Sequence, residues 1–485
     1  MTTPFTPEVA ACRSAQQVWS RLSVRERLKP IRELRHLLVD RTNEICEVVA
    51  ADVGRPATEV IGTELLPTTA ALKFLEQRAD RILKPRKVAG RLRPTWLMGC
   101  RDVVYHRPWG VVGVIGTWNY PVFLNVGQIA SALVAGNGVV WKPSENAPRT
   151  ADLTHRLFLD AGFPSELFAK LPATREGGSQ LAEADVDHVV FTGSDRVGRK
   201  LAARLGERLI PSTLELSGCD AMFVLEDANL PMAAKATWFG LVLNRGQTCI
   251  AVRRVFVHRS KMAEFVEFLR PLAEAAKPLS LVTPGQVEQS ARLIDDAVKH
   301  GATAIRGTGI PACASNQLRP TILLDASPDA AIYLEASFAP VLAVISFDRI
   351  DNAVSLAARS PFGLSASIFS QDTDAARELA ARIPSGSVVI NDVIAATAHP
   401  ATPFGGRGAS GWGVTQGPEG LLAMTVPQVV TVRKGTFRPH LDETASPDPA
   451  THDIMRGLLR ATHGRGFRDW VGGIREMIRG IRRKK

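Results

Sequence analysis

Three side chains, far apart along the sequence, carry complementary chemistry. Cys249 closes the run Asn244-Arg245-Gly246-Gln247-Thr248-Cys249 and is a candidate nucleophile. About thirty residues upstream, Glu215 stands in Thr213-Leu214-Glu215-Leu216 and can act as a general base. Asn119, in Trp118-Asn119-Tyr120-Pro121, offers an amide N–H to a developing oxyanion. A thiolate adds to an aldehyde carbonyl to give a thiohemiacetal. Departure of hydride to a nicotinamide leaves a thioester, which a carboxylate-activated water hydrolyses. Nucleophile, base and oxyanion donor together equip a protein for that oxidation.

Each residue also has an ordinary reading. A single cysteine is commonly a small buried apolar side chain. A glutamate at a strand end is commonly a surface acid in an ion pair, and an asparagine before Pro121 a turn former. The Gly246-Gln247 pair weakens the first of these, because a tight turn there can aim backbone amides at a bound oxygen. Cys12, Cys46, Cys100, Cys219 and Cys313 lack that setting. No Cys-x-x-Cys pair occurs, which argues against a zinc site and against a disulfide framework. The expected setting is a reducing cytoplasm, with no signal peptide at the N-terminus.

The elements that must position these groups alternate between strand and helix. Residues 7–87 carry apolar side chains at three-to-four spacing and predict helices. Residues 91–109, with Pro94 and Pro108, predict extended strands and a protruding hairpin. Val111–Gly116 is a buried strand by composition. A helix over 123–135, a strand over 139–141, a helix over 150–161 and a strand over 188–191 continue the rhythm. It predicts a doubly wound parallel sheet that binds a dinucleotide. A second alternating region runs over 221–403, with strands at 223–224 and 255–257 and helices over 261–272 and 286–299.

Dinucleotides lie at the carboxyl ends of such strands. Lys142 and Glu145 follow the 139–141 strand, with Ser144 between them, and suit the ribose hydroxyls of adenosine. A glutamate disfavours a 2′-phosphate by charge, so NAD is preferred over NADP. The competing reading is a solvated charged loop. Phe191-Thr192-Gly193-Ser194, followed by Gly198, reads as strand, tight turn and helix start, with amides facing a pyrophosphate. The spacing is not the usual Gly-x-Gly-x-x-Gly, so alone it is a weak motif.

Seven stretches occur together in one order: Gly116–Pro121, Ala135–Asn137, Trp141–Glu145, Phe191–Ser194, Leu214–Leu216, Gly246–Cys249 and Pro403–Gly406. The set resembles the aldehyde dehydrogenase superfamily over residues 8–434, nearest its shorter-chain, dimeric branch. The resemblance implies an α/β fold with a Rossmann-type cofactor domain (1–90 and 110–215) and an α/β catalytic domain (216–413). It further implies a small β oligomerisation element (91–109 and 414–435), then a linker and basic tail (436–485). Cys249 would be nucleophile, Glu215 base and Asn119 oxyanion donor. Trp118, Lys142, Ser144, Glu145, Gly193, Ser194, Gly198, Leu216 and Phe338 would contact NAD or NADP. Tyr120, Leu124 and Trp238 would line a tunnel for an aromatic or aliphatic aldehyde.

Two motifs depart from the family. Its Glu-Leu-Gly-Gly-Lys is Glu215-Leu216-Ser217-Gly218-Cys219 here, with a serine where backbones pass close to the active centre. Its Glu-Glu-x-Phe-Gly-Pro is Glu335-Ala336-Ser337-Phe338-Ala339-Pro340, so the glutamate that holds the nicotinamide ribose is Ala336. Either Glu335 takes that role or the nicotinamide half is held more loosely. The alternatives are a coenzyme A-acylating reductase, which Glu215 argues against, and a non-catalytic binding protein that kept the fold.

The chain of 485 residues is 45% hydrophobic and carries +11, but Asp453–Lys485 accounts for +7 of that charge. The basic balance therefore describes a tail and not a nucleic-acid-binding body. Asp442–Asp453 reads as an acidic linker. Beyond it, Phe467, Trp470, Val471, Ile474, Met477, Ile478 and Ile481 recur at helical spacing among arginines. This predicts a basic amphipathic helix that contacts a membrane surface or the protein itself through residues 452–485. Gly472, Gly473 and Gly480 lower its helix propensity. The expected partners are a small aldehyde and a second copy, with no nucleic acid. The expected location is cytoplasmic, with a peripheral membrane position as the extension.

Overall fold

The β-branched run Val111–Ile115 is buried along its whole length and forms the middle strand of a six-stranded sheet. In this computed structural model the residues described are 4–97, 99–307, 313–314, 316–435 and 448–484. Across the sheet the strands run Gly411–Trp412, Ser212–Glu215, His188–Thr192, Val111–Ile115, Gly138–Lys142 and Phe168–Lys170. The last five are parallel, and Gly411–Trp412 is an antiparallel edge. The chain starts in the middle, winds outward one way and then the other, which is the doubly wound order expected of a dinucleotide fold. Ile115 pairs with both Lys142 and Phe191, and Thr192 pairs with Glu215. One row of strand ends therefore carries Lys142, Thr192 and Glu215 and leads directly into the Trp118-Asn119 loop.

A seven-stranded sheet follows, in the order Thr303–Ile305, Thr321–Leu324, Val341–Phe347, Val252–His258, Asp220–Val224, Ser365–Phe369 and Ser387–Ile390. Only Thr303–Ile305 runs antiparallel to its neighbour. Both sheets lie in one compact unit, Met1–Arg86 with Val104–Val429. The N-terminal helices Thr6–Trp19, Val24–Asp40, Thr42–Val53 and Leu66–Ile82 contribute Leu28, Ile31, Leu34 and Leu72 to its core. A capping box between Ser23 and Glu26 starts the second of them. Before the last helix the chain widens into a π-turn, Ile61–Leu65.

Residues 91–97 differ from the expected strands. They make short 3-10 turns at Gly90–Leu92 and Thr95–Leu97, and the strand begins only at Cys100. Pro94 has no N–H for a ladder, and its carbonyl instead accepts from the Leu97 N–H at 3.0 Å.

The second compact unit comprises Lys87–Val103 and Val430–Lys485. Of the expected linker, residues 442–447 lie outside the described residues. Its end is helical, since Asp448 caps the helix Pro449–His463 by accepting from Ala450 N–H at 3.0 Å. That helix and Phe467–Lys484 form an antiparallel hairpin. The glycines that lower helix propensity have a packing role here. A Cβ on Gly473 would lie 2.4 Å from the Gly457 carbonyl oxygen, and one on Gly480 2.5 Å from that of Ala450. Among the described residues no helix is long and apolar enough to cross a membrane.

Candidate active site

Cys249 sits at the end of a loop whose backbone is under tension. After the helix Leu230–Val242, three consecutive residues have left-handed backbones: Asn244 (φ 47°), Arg245 (φ 56°) and Gly246 (φ 72°). Only glycine takes such angles without cost. At Gly246 the space is closed as well, because a Cβ would lie 2.4 Å from the Ala339 carbonyl carbon. Buried side chains over-determine the turn. Asn244 Nδ2 donates to the carbonyls of Asn119 (2.9 Å) and Gln247 (3.1 Å). Gln247 returns a bond to the Asn244 carbonyl (3.0 Å) and accepts from Val282 N–H (2.9 Å). The fully buried Arg253 guanidinium donates to the carbonyls of Gly246 and Ala339. Such strain is stored where the surrounding structure holds it.

Asn119 is brought to this loop from the other sheet. Its Nδ2 donates to the Gln247 carbonyl at 3.2 Å, and its Oδ1 accepts from the Thr117 hydroxyl at 2.8 Å. One face of the amide group is thereby oriented, with a second N–H left over. Tyr120, the next residue, shares a 2.7 Å bond with the Thr248 hydroxyl, adjacent to Cys249. Glu215 ends its strand 3% exposed, and its Oε1 is buried with no hydrogen-bond partner. Burial pushes its carboxyl up to about 7, against a hydrogen bond with Cys249 that pulls the other way. The Cys249 thiol is pushed well above its ordinary value by burial first, then by the charges of Glu215 and Asp220, while the Ile250 N–H opposes this. The pair is therefore a thiol with a raised pKa beside a carboxyl that titrates near neutrality.

Two cavities meet at the sulfur. One, of about 540 Å³, follows the crevice at the strand ends and is lined by Trp118, Gly193, Ser194, Glu215, Leu216 and Phe338 among others. The second, of about 330 Å³, is lined by Tyr120, Phe123, Leu124, Phe239, Ile250 and Phe404 among others. Among the described residues Cys249 alone lines both.

The first cavity fits a dinucleotide. Ser194 caps the helix Asp195–Glu207, so free N–H groups face the crevice, and Arg196 adds a cation beside them. A Cβ on Gly193 would meet the Phe191 ring at 2.4 Å, and one on Gly198 would meet Leu216 at 2.5 Å. Gly198 thus lets the helix close on the strand and does not itself line the cavity. Trp118 and Phe338 form an edge-on pair at 5.6 Å. Lys142, Ser144 and Glu145 stand at the neighbouring strand end, outside the cavity's lining. Lys142 is buried, which lowers its ammonium's pKa, and it pairs with Glu145 at 3.4 Å. Burial pushes the Glu145 carboxyl up, but hydrogen bonds and the Lys142 charge outweigh it and hold it below its ordinary range. Ser144 accepts from the Asn146 N–H at 3.3 Å and shapes that turn.

The two departures resolve differently. The tight approach to Cys249 falls at Gly218, where a Cβ would lie 2.4 Å from the Cys249 carbonyl oxygen. Ser217, one residue earlier, lines the larger cavity and is accommodated. Glu335 lines that cavity too, but its carboxylate is engaged by Arg292, while Gln286 and Gln289 stand alongside Ala336 and Phe338.

Of the expected tunnel residues, Tyr120 and Leu124 line the second cavity and Trp238 does not. Trp238 packs against the core of the second sheet, and its neighbour Phe239 takes the wall. The rotation of a helix about its axis is set by packing, which the spacing in the sequence left open. Sequence reasoning also missed Arg55 and Glu64, both fully buried and paired at 2.7 Å. Glu64 accepts from Val122 and Phe123 N–H at 2.8 Å each, and Arg55 donates to the Asn119 carbonyl. In sequence the two look like surface charges on a helix.

A profile of the aldehyde dehydrogenase family matches residues 6–430, and the chain belongs to that family. It is an oxidoreductase that oxidises aldehydes with NAD or NADP. Among its relatives is the 4,4'-diapolycopene aldehyde oxidase of Methylomonas sp, 36% identical over 99% of this chain and 89% of that protein. The aldehyde dehydrogenase of Mycobacterium tuberculosis, solved with NAD+, superposes with a TM-score of 0.82 at 30% identity, over 89% of this chain and 90% of that one. The NADP-dependent glyceraldehyde-3-phosphate dehydrogenase of Bacillus halodurans C-125, solved with NADP, gives 0.81 at 30% identity, over 88% and 90%.

Proposed function

We propose that Cys249 is the nucleophile, Glu215 the base and Asn119 the oxyanion donor of this oxidation. The observation that carries the reading is that, among the described residues, Cys249 alone joins the crevice to the apolar cavity. Glu215 takes the thiol proton and passes it to solvent, and the sulfur adds to the aldehyde carbon. The free N–H of the Asn119 amide, with the backbone N–H of Cys249, holds the resulting oxyanion. NAD or NADP, held along the crevice by Trp118, Gly193, Ser194, Leu216 and Phe338 with Lys142, Ser144 and Glu145 toward the adenosine, supplies the hydride acceptor. Glu215 then activates the water that releases the carboxylic acid from Cys249.

The substrate we infer is an apolar aldehyde. Among the described residues no Asp, Glu, Lys, Arg or His lines the second cavity, so a charged substrate tail would find no partner there. The Methylomonas relative, named for an aldehyde with a hydrocarbon parent, supports this. Its alignment covers 99% of this chain and so must include the C-terminal helices.

The reading extends to a cytoplasmic homodimer, supported by a nucleophile that works as a free thiol. The strand Thr425–Arg433, in the expected oligomerisation element, leaves Val429, Val430 and Val432 exposed for a second copy to cover. Residues 452–485 would contact a membrane surface or the partner copy.

The test is to mix the protein with NAD and a water-soluble aldehyde and follow reduced-nicotinamide absorbance. Turnover is expected, and Cys249→Ala should abolish it. Turnover surviving in that variant overturns the assignment, and many-fold acceleration by coenzyme A overturns hydrolysis as the second half.

A further inference from the structure

The helix Phe467–Lys484 sorts its side chains into three strips. Gly473 and Gly480 make the seam with the first helix of the hairpin. Asp469 and Glu476 flank that seam and are bound by Arg460 and Arg456 across it, at 3.0 Å each. A second strip, Phe467, Trp470, Ile474, Ile478 and Ile481, advances by three or four residues along one face. Four of its members stand in water: Phe467 is 77% exposed, Trp470 50%, Ile478 46% and Ile481 50%. The third strip adjoins it. Arg468, Arg475, Arg479 and Arg482 make no ion pair among the described residues. With Arg483 and Ile478, the last three line a surface cleft of about 420 Å³.

We propose that this hairpin docks on an anionic lipid surface, with the apolar strip in the acyl boundary and the arginine strip on the lipid phosphates. A strip of Phe, Trp and Ile beside unpaired arginines matches both layers of such an interface. Two copies pairing strip to strip would bring their arginines together, so charge favours lipid over self. The acids of this helix are already neutralised at the seam, which leaves the outward face uniformly basic. The purpose of the docking rests on the catalytic reading above: an apolar aldehyde partitions into lipid, and an enzyme held there meets it.

The experiment is co-sedimentation of the full-length protein with vesicles, read without turnover. Vesicles containing phosphatidylglycerol should bring it down, and phosphatidylcholine vesicles should not. Added salt should weaken the binding. Ile478→Glu with Ile481→Glu, and separately Arg475→Gln with Arg479→Gln and Arg482→Gln, should each bind roughly tenfold more weakly or worse. Both variants should keep wild-type circular dichroism and wild-type turnover of a short water-soluble aldehyde. The proposal is overturned by failure to sediment with anionic vesicles at low salt, or by undiminished binding of the Glu variant. It is also overturned if that variant, without vesicles, breaks an oligomer, which assigns the strip to a second copy. Loss of short-aldehyde turnover in the wild type would sink the catalytic reading and leave the vesicle result standing.

Discussion

Glu215, the proposed base, is buried at a cost to stability. Its carboxyl titrates at about 7 when folded against 4.5 as the ordinary value, because it is buried. The folded state therefore binds this proton more tightly than the unfolded state, and stability falls as pH rises from about 4.5 to about 7. The loss amounts to about 3 kcal/mol at most. Glu215→Gln removes the charge, so its thermal midpoint at pH above 7 is expected to exceed that of the wild type. In the same variant the acyl-enzyme should accumulate, visible by mass spectrometry, while steady-state turnover falls by about 10²–10⁴. Wild-type deacylation should rise with pH through about 7, and this limb should vanish in Glu215→Gln. Asn119→Ala is expected to lower kcat by about 10²–10³ with the cofactor KM unchanged. An unchanged kcat would remove Asn119 from the oxyanion site.

The Asn119 loop is positioned by an element that does no chemistry. The π-turn Ile61–Leu65 carries Glu64 inward, where one carboxylate oxygen takes Arg55 and the other caps the helix Phe123–Ala135. Burial pushes the Glu64 carboxyl up, and Arg55 and the two N–H groups counter it. Arg55 also lies over the Tyr120 ring at 4.8 Å, so one ion pair holds both ends of the loop. Glu64→Ala leaves the buried Arg55 guanidinium with only the more distant Glu59, at 3.5 Å, and should lower unfolding stability by about 3 kcal/mol in urea titration. In the C-terminal hairpin, Gly473→Leu should separate the two helices, since the seam has no room for a Cβ. Hydrogen exchange over 449–484 should speed up, with soluble-aldehyde turnover unchanged.

At the scale of the whole molecule, charge is partitioned. Among the described residues the apolar cavity proposed for substrate is lined by no Asp, Glu, Lys, Arg or His, the crevice holds Asp195, Arg196, Glu215 and Glu335, and most of the excess positive charge sits in the tail. A carboxylated aldehyde such as succinate semialdehyde must lose water from its charge on entry without gaining a cation. Its kcat/KM is expected to fall about 100-fold or more below that of an alkyl aldehyde of equal length. Comparable values would refute the apolar assignment.

The sequence by itself determined what is local. Strand and helix alternation was readable because side-chain period and burial are set within a few residues, so Val111–Ile115 and Phe123–Ala135 stand where their patterns put them. The runs around Asn119, Glu215 and Cys249 were readable as candidates because their residue types are uncommon in combination, and the fold brings all three to one crevice. Tertiary structure alone decided the rest. It chose Phe239 over Trp238 for the cavity wall, turned Arg55 and Glu64 from apparent surface charges into a buried clamp, and made helix-weakening glycines into a seam. Each of those outcomes depends on which surfaces meet across long stretches of chain, and that is decided by packing free energy summed over the fold rather than by any neighbouring residue.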